Sequence, residues 1–458
     1  MTNERHDSTV IELGRLLRAG ETTPTELTRM YIERLDVVGR RYNAVVTITE
    51  ERAMREARQA EAELNAGFDR GPLHGIPYGA KDLLNAAGYP TTWGAIPFQD
   101  QQFPADAQVI ERLRDVGAVL VAKLGMVELA GGMGYDQPNA SLTGPGISPR
   151  GAADSWAGGS SSGSGSAVAA GVVGFAIGSE THGSITSPAN NCGISGLRPT
   201  FGRVSRRGAM ALSWTMDKLG PMCRSAHDCG LVLDAIAGPD PGDPSASQRA
   251  YRYPASAMRT EGFRFAILAG CTENVQPEVK ANFEASLAIL EQMGTLEEVS
   301  LPDLPYNDVA RVIIDAEKAA AFEELMTSGS VRGLTAPEDR VNGLASLAIP
   351  ATVYIRALRI RRKLCVELDA VFARYDAILA PTSPTVASPL DTNFDDYFPR
   401  AKRSSLGSAA NVAGLPGIAI PNGIGERGLP TSIVFTGRAW EENTILAAAK
   451  AYQERTWS

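Results

Sequence analysis

The chain contains few of the residues on which several common kinds of site depend. Its 458 residues include four histidines and five cysteines. So few histidines limit any mechanism that needs a histidine base, and the scattered cysteines lack the spacing of a disulfide framework. Unpaired cysteines are typical of a reducing compartment, so we expect a cytoplasmic protein.

Long apolar runs and excess positive charge are also missing. No apolar run reaches the roughly 20 residues that a membrane-spanning helix needs, and the polar start at 1–20 does not resemble a secretion signal. The net charge is −8, whereas a nucleic-acid-binding face is basic. We therefore expect no membrane association and no direct contact with nucleic acid. This charge does not exclude binding to a complex that contains RNA.

With 44% hydrophobic residues, the chain can form a large core, and its apolar spacing predicts both helices and strands. The order strand, helix, strand over 263–299 favours an α/β fold with a largely parallel sheet. The sequence GPDPGDPSAS at 238–247 is the most linker-like stretch. It would be a domain boundary unless the strands before and after it belong to one sheet. We predict strands at 43–48, 117–122, 263–268, 296–299, 376–380, 411–421 and 431–436, and helices at 24–38, 54–66, 107–116, 167–176, 277–293, 309–325, 352–372 and 442–454.

Two clusters of serine and glycine lie between 156 and 203, and the first of them, GGSSSGSGS at 158–166, has four interpretations. It is a flexible linker, a phosphate loop that has Ser164 in place of the usual lysine, or a nucleophile elbow centred on Ser161. The fourth interpretation is a serine nucleophile activated by lysine rather than histidine. Such a lysine must be neutral, a state that burial favours.

Three motifs in order resemble the amidase signature family: GIPYGAKD at 75–82, GGSS at 158–161 and GSETHGSI at 178–185. The resemblance extends from about 22 to 454 and is weakest at 305–347. It implies the amidase signature fold, a central mixed, largely parallel twisted sheet covered by helices on both faces. It also implies one domain over 1–458, composed of an N-terminal helical region at 1–70, a catalytic core at 71–240 and a variable substrate-facing region at 305–347.

Carried over residue by residue, the resemblance implies a Ser–cis-Ser–Lys triad. Ser184 would be the nucleophile, Lys81 the base, and Ser160, beside a cis peptide bond, the relay between them. The tetrahedral oxyanion would be held by backbone N–H groups of the turn around the nucleophile, those of Thr181, His182, Gly183 and Ser184. This chemistry requires no metal and no organic cofactor.

The implied activity is that of an amidase acting through an acyl-enzyme on a small-molecule amide or carbamate, or on a peptide amide. Hydrolysis of a urethane, which is a carbamate, is an alternative that would use the same triad. Another is the glutaminase component of the tRNA-dependent amidotransferase, which would need a partner subunit to act. The remaining alternative is a non-catalytic binding protein on the same scaffold. A homodimer is common among members of the family.

The motifs depart from the family pattern at four positions. His182 stands where many relatives have glycine, and its ring either lines the pocket or packs away from it. Glu180 replaces aspartate and Thr186 replaces arginine, two changes that are linked if the acid loses its cationic partner. Gly131 replaces a methionine, which predicts a roomier acyl site. The expected substrate-binding residues are Gly131, Gly132, Met133 and His182.

One cluster in the sequence contains residue types that can bind a metal: Cys223, His227 and Cys229. Their spacing fits no common zinc pattern. We therefore expect structural roles for all three residues and no metal site.

Overall fold

The computed structural model describes residues 5–397 and 405–456. Within these ranges, eleven strands form one sheet in the order β1-β3-β2-β4-β6-β5-β10-β11-β9-β7-β8. The strands are β1 (Val45–Ile48), β2 (Pro77–Lys81), β3 (Val119–Leu124), β4 (Phe175–Glu180), β5 (Ser195–Arg198), β6 (Lys218–Cys223), β7 (Phe263–Leu268), β8 (Gly294–Val299), β9 (Ala377–Pro381), β10 (Gly417–Ile424) and β11 (Pro430–Thr436).

Helices of very different lengths surround the sheet, and short single-turn helices connect several of them. The α-helices are α1 (Val10–Arg18), α2 (Pro24–Arg34), α3 (Glu50–Asn65), α4 (Gln108–Asp115), α5 (Ser162–Ala169), α6 (Thr186–Cys192), α7 (Ala226–Ile236), α8 (Pro277–Leu290), α9 (Tyr306–Ala321), α10 (Glu323–Thr327), α11 (Asp339–Asn342), α12 (Ala351–Phe372), α13 (Phe394–Tyr397), α14 (Ser405–Ala413) and α15 (Glu442–Thr456).

The α/β class and the mixed sheet are confirmed, but the sheet is less parallel than predicted. β2 pairs in parallel with β3 and β4, and β7 with β8 and β9. The central strands from β4 through β6, β5, β10 and β11 to β9 are antiparallel. Parallel neighbours need a crossover connection, usually a helix. The chain between β5 and β6 and between β10 and β11 contains no α-helix, which accounts for antiparallel pairing there.

Each face of the sheet is covered by its own apolar layer. Along β4, Phe175 and Ile177 belong to one buried cluster, and Ala176 between them belongs to another. Because successive side chains of a strand point to opposite faces, the two clusters lie on opposite sides of the sheet. Helices α1, α7, α9 and α15 contribute to the first cluster, and α3, α5 and α6 to the second. Helices on both faces are therefore confirmed.

Local sequence signals locate most elements correctly. Thr23 caps α2, and its hydroxyl and the Glu26 carboxylate form the reciprocal pair of hydrogen bonds known as a capping box. The glycine- and proline-rich segment before Lys81 ends in an extended strand, β2, as predicted. The strand-helix-strand unit is also present, since β7 and β8 are parallel neighbours joined through α8.

Two predicted elements are wrong in their bounds. The sequence predicts a helix over 167–176, but α5 runs over Ser162–Ala169 and Ala176 lies in β4. The error arises because serine and glycine favour turns in isolation, whereas here burial of the whole cluster overrides that preference. The sequence also predicts a strand over 411–421, but 411–413 complete α14 and β10 begins at Gly417.

The linker-like stretch at 238–247 does not separate two sheets. Strands β6 and β7, which lie on either side of it in sequence, belong to the same sheet. Across the described ranges, no single helix is long and apolar enough to cross a membrane; the pair 339–348 and 351–372, bent by 89°, meets that test only when taken together.

Candidate active site

Lys81 lies at the edge of the sheet where neighbouring parallel strands end. It is the last residue of β2, and β2 runs parallel to β4, which ends at Glu180. The carboxyl ends of adjacent parallel strands are the usual place for a ligand site in an α/β sheet. Two serines approach the fully buried amine, because Nζ donates to Ser160 Oγ at 2.7 Å and to Ser179 Oγ at 2.9 Å.

The environment of Lys81 favours its neutral form. Burial lowers the pKa of Lys81 from 10.5 to about 7, and the nearby carboxylates of Asp217 and Glu180 oppose that change. Desolvation disfavours a charged amine. A substantial fraction of Lys81 is therefore neutral near pH 7, the state in which its nitrogen can accept a proton.

Ser160 is held by backbone interactions on both sides. The peptide bond between Gly159 and Ser160 is cis, as the resemblance implies, and Ser160 is 1% exposed. Its carbonyl accepts from Val127 N at 3.1 Å. The next residue, Ser161, binds the Ser179 backbone in both directions, with Oγ donating to O at 3.1 Å and accepting from N at 3.2 Å.

These contacts argue against two of the four interpretations of the first serine cluster, the flexible linker and the nucleophile elbow. All residues at 158–166 are buried, so the cluster is not a flexible linker. Ser161, the central serine of the nucleophile-elbow alternative, has its hydroxyl engaged by the Ser179 backbone. The serine that contacts a candidate base is Ser160.

Ser184 lies in the turn that follows β4. It is 9% exposed, and its carbonyl accepts from Ser161 N at 3.3 Å, which joins the two serine clusters. Within the described residues no hydrogen bond joins Ser184 Oγ to Ser160 Oγ. Gly183 has φ of +94°, a left-handed conformation that glycine adopts without penalty. Among the described residues, the backbone N–H groups of Gly183 and Ser184 have no hydrogen-bond acceptor.

The Glu180 carboxylate holds the end of this turn. Its Oε2 accepts from Ile185 N at 2.9 Å, from Thr186 N at 3.0 Å and from Thr186 Oγ1 at 3.2 Å. Its Oε1 accepts from Arg198 Nη1 at 2.7 Å. The idea that threonine at 186 leaves the acid without a cation is therefore wrong, because Arg198 on β5 supplies the positive charge. Burial opposes ionisation, but the charges of Arg198 and Lys218 and the hydrogen bonds to the carboxylate together outweigh it, so the pKa of Glu180 is held well below its usual value.

Two further polar groups at the site were not found from the sequence. Ser179 is the second serine that contacts Lys81. Asp217 is buried and its carboxylate accepts from Thr181 Oγ1 at 2.6 Å. The residue types did carry a signal, because Asp217 and Lys218 form an acid-base pair where the buried strand β6 begins.

His182, the departure from glycine, has its ring at the surface. The residue is exposed, and its Nε2 lies 2.8 Å from Ser408 Oγ on α14. The side chain therefore joins the turn after β4 to a helix from a distant part of the chain.

Residues 131–133 are closely packed. Their packing does not leave the larger acyl site that glycine at position 131 predicts. Gly131 has φ of +82°, and a Cβ there would lie 2.6 Å from the Tyr135 ring. A Cβ at Gly132 would lie 2.6 Å from Leu212, and Met133 is fully buried. The Tyr135 ring therefore takes up the space beside Gly131.

A cavity of about 410 Å³ reaches the site at Ser179, whose hydroxyl also contacts Lys81, whereas Lys81, Ser160 and Ser184 do not line it. Ser179, Thr181 and Asp217 contribute polar atoms to its wall. Ala130 lies on the wall, but the three residues after it and His182 do not. The remaining wall is mostly apolar or belongs to two arginines and a loop: Leu83, Arg206, Arg207, Ala209, Met210, Ala211, Leu212, Trp214, Leu219, Gly242, Asp243, Pro244 and Ser245.

Segment 305–347 packs against the short helical turn Glu128–Gly131. The buried Glu128 carboxylate accepts two backbone N–H groups of this segment, from Thr335 at 2.8 Å and Ala336 at 3.0 Å. The same carboxylate lies near the buried Asp339, and burial, followed by the hydrogen bond with Glu128 and then its charge, raises the pKa of Asp339 to about 9. The segment is thus fixed beside the residues expected to bind substrate.

Cys223, His227 and Cys229 do not converge on a metal. His227 Nδ1 lies 2.8 Å from Tyr253 Oη, and both cysteines are buried. Among the described residues, no three histidine, cysteine or acidic side chains are arranged to hold a metal ion.

The sequence and the fold both match known proteins over almost the whole chain. The sequence profile of the Amidase family matches residues 26–446. One of the component chains of Glutamyl-tRNA(Gln) amidotransferase from Moorella thermoacetica is 35% identical, and the match covers 98% of this chain and 96% of that relative. The native peptide amidase from Stenotrophomonas maltophilia is 33% identical, with a TM-score of 0.87 and coverage of 98% and 97%. A chain from a vestigial complex linked to the origins of an s-triazine catabolic enzyme is 29% identical, with a TM-score of 0.89 and 98% coverage of both.

Proposed function

The chain belongs to the amidase family of hydrolases that act on C–N amide bonds, and we propose that it cleaves a small-molecule amide or carbamate, or a peptide amide, through an acyl-enzyme. The observation that carries the proposal is the 2.7 Å contact between the buried Lys81 amine and Ser160 Oγ. Ser184 follows 24 residues later, in a turn bonded to the residue after Ser160. The three side chains are thus a base, a relay and a nucleophile.

In the proposed reaction, neutral Lys81 takes a proton from Ser160 as Ser160 takes one from Ser184. Ser184 Oγ attacks the carbonyl carbon and forms a C–O bond, and the negative charge moves to the carbonyl oxygen. The proton returns through Ser160 to the leaving nitrogen as the C–N bond breaks. Water then attacks the acyl-enzyme by the same route and releases the acid.

The turn after β4 supports the step in which negative charge develops. N–H donors aimed at the oxyanion usually provide the largest single contribution to such a reaction. The N–H groups of Gly183 and Ser184 have no acceptor among the described residues, and those of Thr181 and His182 belong to the same turn. The left-handed Gly183 lets successive N–H groups point toward one place.

The cavity that Ser179 lines supports a substrate of small-molecule size. Its volume of about 410 Å³ falls within the range usual for ligand pockets. Much of its wall is apolar, which favours a substrate with a hydrocarbon portion over a compact, charged one. A carbamate fits the same proposal because its carbonyl carbon is attacked in the same way.

A second candidate function is the glutaminase component of a tRNA-dependent amidotransferase. It is favoured by relatives from Glutamyl-tRNA(Gln) amidotransferases, which align over 98% of this chain. In that case the leaving group is ammonia, a partner subunit receives it, and the free amino acid glutamine is hydrolysed. The mostly apolar cavity favours the first candidate.

Labelling with a fluorophosphonate probe tests the chemistry. We expect one covalent adduct, located on Ser184 by peptide mass spectrometry, and an adduct on any other residue would overturn the assignment. A panel of an aryl amide, an aliphatic amide, a peptide amide, an aryl carbamate and glutamine then separates the candidates. Turnover of glutamine alone, together with co-purification of a second subunit, would favour the amidotransferase.

A further inference from the structure

Lys218, the first residue of β6, is a buried lysine that the proposed mechanism does not use. It is 2% exposed and lies opposite Glu180 in the antiparallel pair of β4 and β6. Its Nζ donates to the carbonyl oxygen of Thr181 at 3.3 Å and to Asn411 Oδ1 at 2.9 Å. Because burial of an amine is costly unless its hydrogen bonds are made, these two acceptors define its position.

Asn411 presents its oxygen to the lysine because its nitrogen is already engaged. Its Nδ2 donates to the Gly407 carbonyl within α14 at 3.0 Å. The Lys218 amine therefore has a fixed acceptor on α14 and a second on the turn after β4. Burial and then Arg198 lower the pKa of Lys218 to about 7, but a neutral amine still has N–H groups to donate.

Asp217 and Lys218, which are adjacent in the sequence, each form a hydrogen bond with a different atom of Thr181. Asp217 accepts from its hydroxyl at 2.6 Å, and Lys218 donates to its carbonyl. Asp217 is itself fixed by backbone donors, Leu212 N at 2.8 Å and Ser213 N at 3.0 Å. Both the side chain and the carbonyl of Thr181 are therefore restrained by the start of β6.

A restraint on the Thr181 carbonyl is also a restraint on the next N–H group. The peptide unit is planar, and in the trans form its C=O and N–H point in opposite directions. The N–H opposite the Thr181 carbonyl belongs to His182, one of the four proposed oxyanion donors. We propose that Lys218 is a positioning residue that fixes the Thr181–His182 peptide so that the His182 N–H points at the developing oxyanion.

This inference rests on the proposed function and is tested by substitutions that remove or keep the donor. Lys218→Met keeps the length of the side chain but has no N–H, whereas Lys218→Gln keeps a neutral N–H donor. The matched control is Lys450→Met, which removes a partly buried lysine on α15, paired with Glu454 at 2.6 Å and remote from Thr181 in its contacts. Each variant is assayed with the best amide of the substrate panel and with the fluorophosphonate.

We expect Lys218→Met to lower kcat at least about tenfold with KM within about twofold of wild type. The loss should stay below the ~10²–10³-fold that follows removal of an oxyanion donor itself. Lys218→Gln should recover part of the lost kcat, and Lys450→Met should retain wild-type kcat. Fluorophosphonate labelling of Ser184 should slow in parallel with kcat.

A wild-type kcat in folded Lys218→Met would overturn the inference, and so would equal losses in the Met and Gln variants. If Lys218→Met does not fold, Asn411→Ala carries the test, because it removes the acceptor that fixes the amine and should lower kcat without raising KM. Wild-type kcat in that variant would also count against the inference. If the probe labels wild type and Lys218→Met equally rapidly, this inference is wrong but the proposed function is not affected. If wild type is not labelled and does not hydrolyse amides, the proposed function is wrong as well.

Discussion

The Lys81 amine lies 2.7 Å from the Ser160 hydroxyl although the two residues are 79 positions apart in the chain. The strand that ends at Lys81 is a parallel neighbour of β4. Ser160 reaches the same place because Ser161 is bonded to the Ser179 backbone on β4. The contact between the proposed base and the proposed relay therefore depends on the adjacency of two strands. Substitutions at this site should separate the roles of Lys81, Ser160 and Ser184.

Ser184→Ala should abolish hydrolysis of amides, because no other hydroxyl in the proposed mechanism bonds to the carbonyl carbon. We expect kcat to fall by at least about 10⁴-fold, with no fluorophosphonate adduct at residue 184. Ser187→Ala, three residues later in the same turn and helix, is the matched control and should keep wild-type kcat. Unchanged turnover in Ser184→Ala would refute the assignment of the nucleophile.

The pH dependence of kcat/KM should show an acid limb with a midpoint near pH 7. The base must be neutral, and burial lowers the pKa of Lys81 to about 7, so activity should fall as pH drops through this value. Initial rates between pH 5 and 9 at substrate concentrations far below KM provide the measurement. A flat profile across this range would contradict a titrating Lys81.

Ser179→Ala should move that acid limb to lower pH. The Ser179 hydroxyl accepts a hydrogen bond from Lys81 Nζ at 2.9 Å, an interaction that favours the protonated amine. Its loss should therefore lower the pKa of Lys81. Ser164→Ala is the control, because that buried hydroxyl bonds to the Ile177 carbonyl on the same strand instead. A limb that stays in place or moves to higher pH would show that Ser179 does not act on Lys81.

Glu180→Gln should destabilise the fold, because it leaves the buried Arg198 guanidinium without its counter-charge. Removal of one partner of a buried ion pair costs about 3–5 kcal/mol, to be measured by urea unfolding at pH 7. Glu63→Gln, at a more exposed pair with Arg70, should cost far less. In wild type, the depressed pKa of Glu180 means that this stabilisation is complete above pH 4.5 and is lost at lower pH. Equal unfolding free energies for Glu180→Gln and wild type would contradict the pairing.

Asp339→Asn should stabilise the protein at alkaline pH. Asp339 keeps its proton in the folded chain up to about pH 9, whereas an unfolded aspartate ionises near pH 4. Unfolding between these values releases a proton, so wild-type stability falls as pH rises. We expect the variant to have the higher Tm at pH 8 and the difference to shrink toward pH 5. Asp303→Asn, at an exposed position before α9, should show no such trend; a Tm difference that is constant with pH would argue against a buried, protonated Asp339.

The sequence was sufficient for those parts of the site that depend on local pattern. The cap of α2 and the extended delivery of Lys81 follow from residues close together in the chain, whereas β4, the strand before Ser184, was not predicted. The resemblance to the amidase signature family also pointed to Ser160, and the structure adds the contact of its hydroxyl with Lys81. The strand-helix-strand order predicted the α/β class, whereas the mixed sheet with helices on both faces was implied by the resemblance to the amidase signature family.

What the sequence could not provide depends on which strands become neighbours. Asp217 and Lys218 act on Thr181 only because β6 lies beside β4, a pairing that no local pattern specifies. Arg198 serves Glu180 from β5 for the same reason. The start of α5 could not be predicted because serine and glycine are weak helix formers whose helix is stabilised by burial rather than by propensity.

The attachment of segment 305–347 bears on how its sequence can diverge. Glu128 holds it through the backbone N–H groups of residues 335 and 336, and every amino acid except proline supplies such a group. The side chains of this segment can therefore be exchanged, by mutation over generations or by loop grafting in the laboratory, without loss of that anchor. Under the substrate-facing role that we expect for this segment, substrate preference can change there while Lys81, Ser160 and Ser184 stay unchanged.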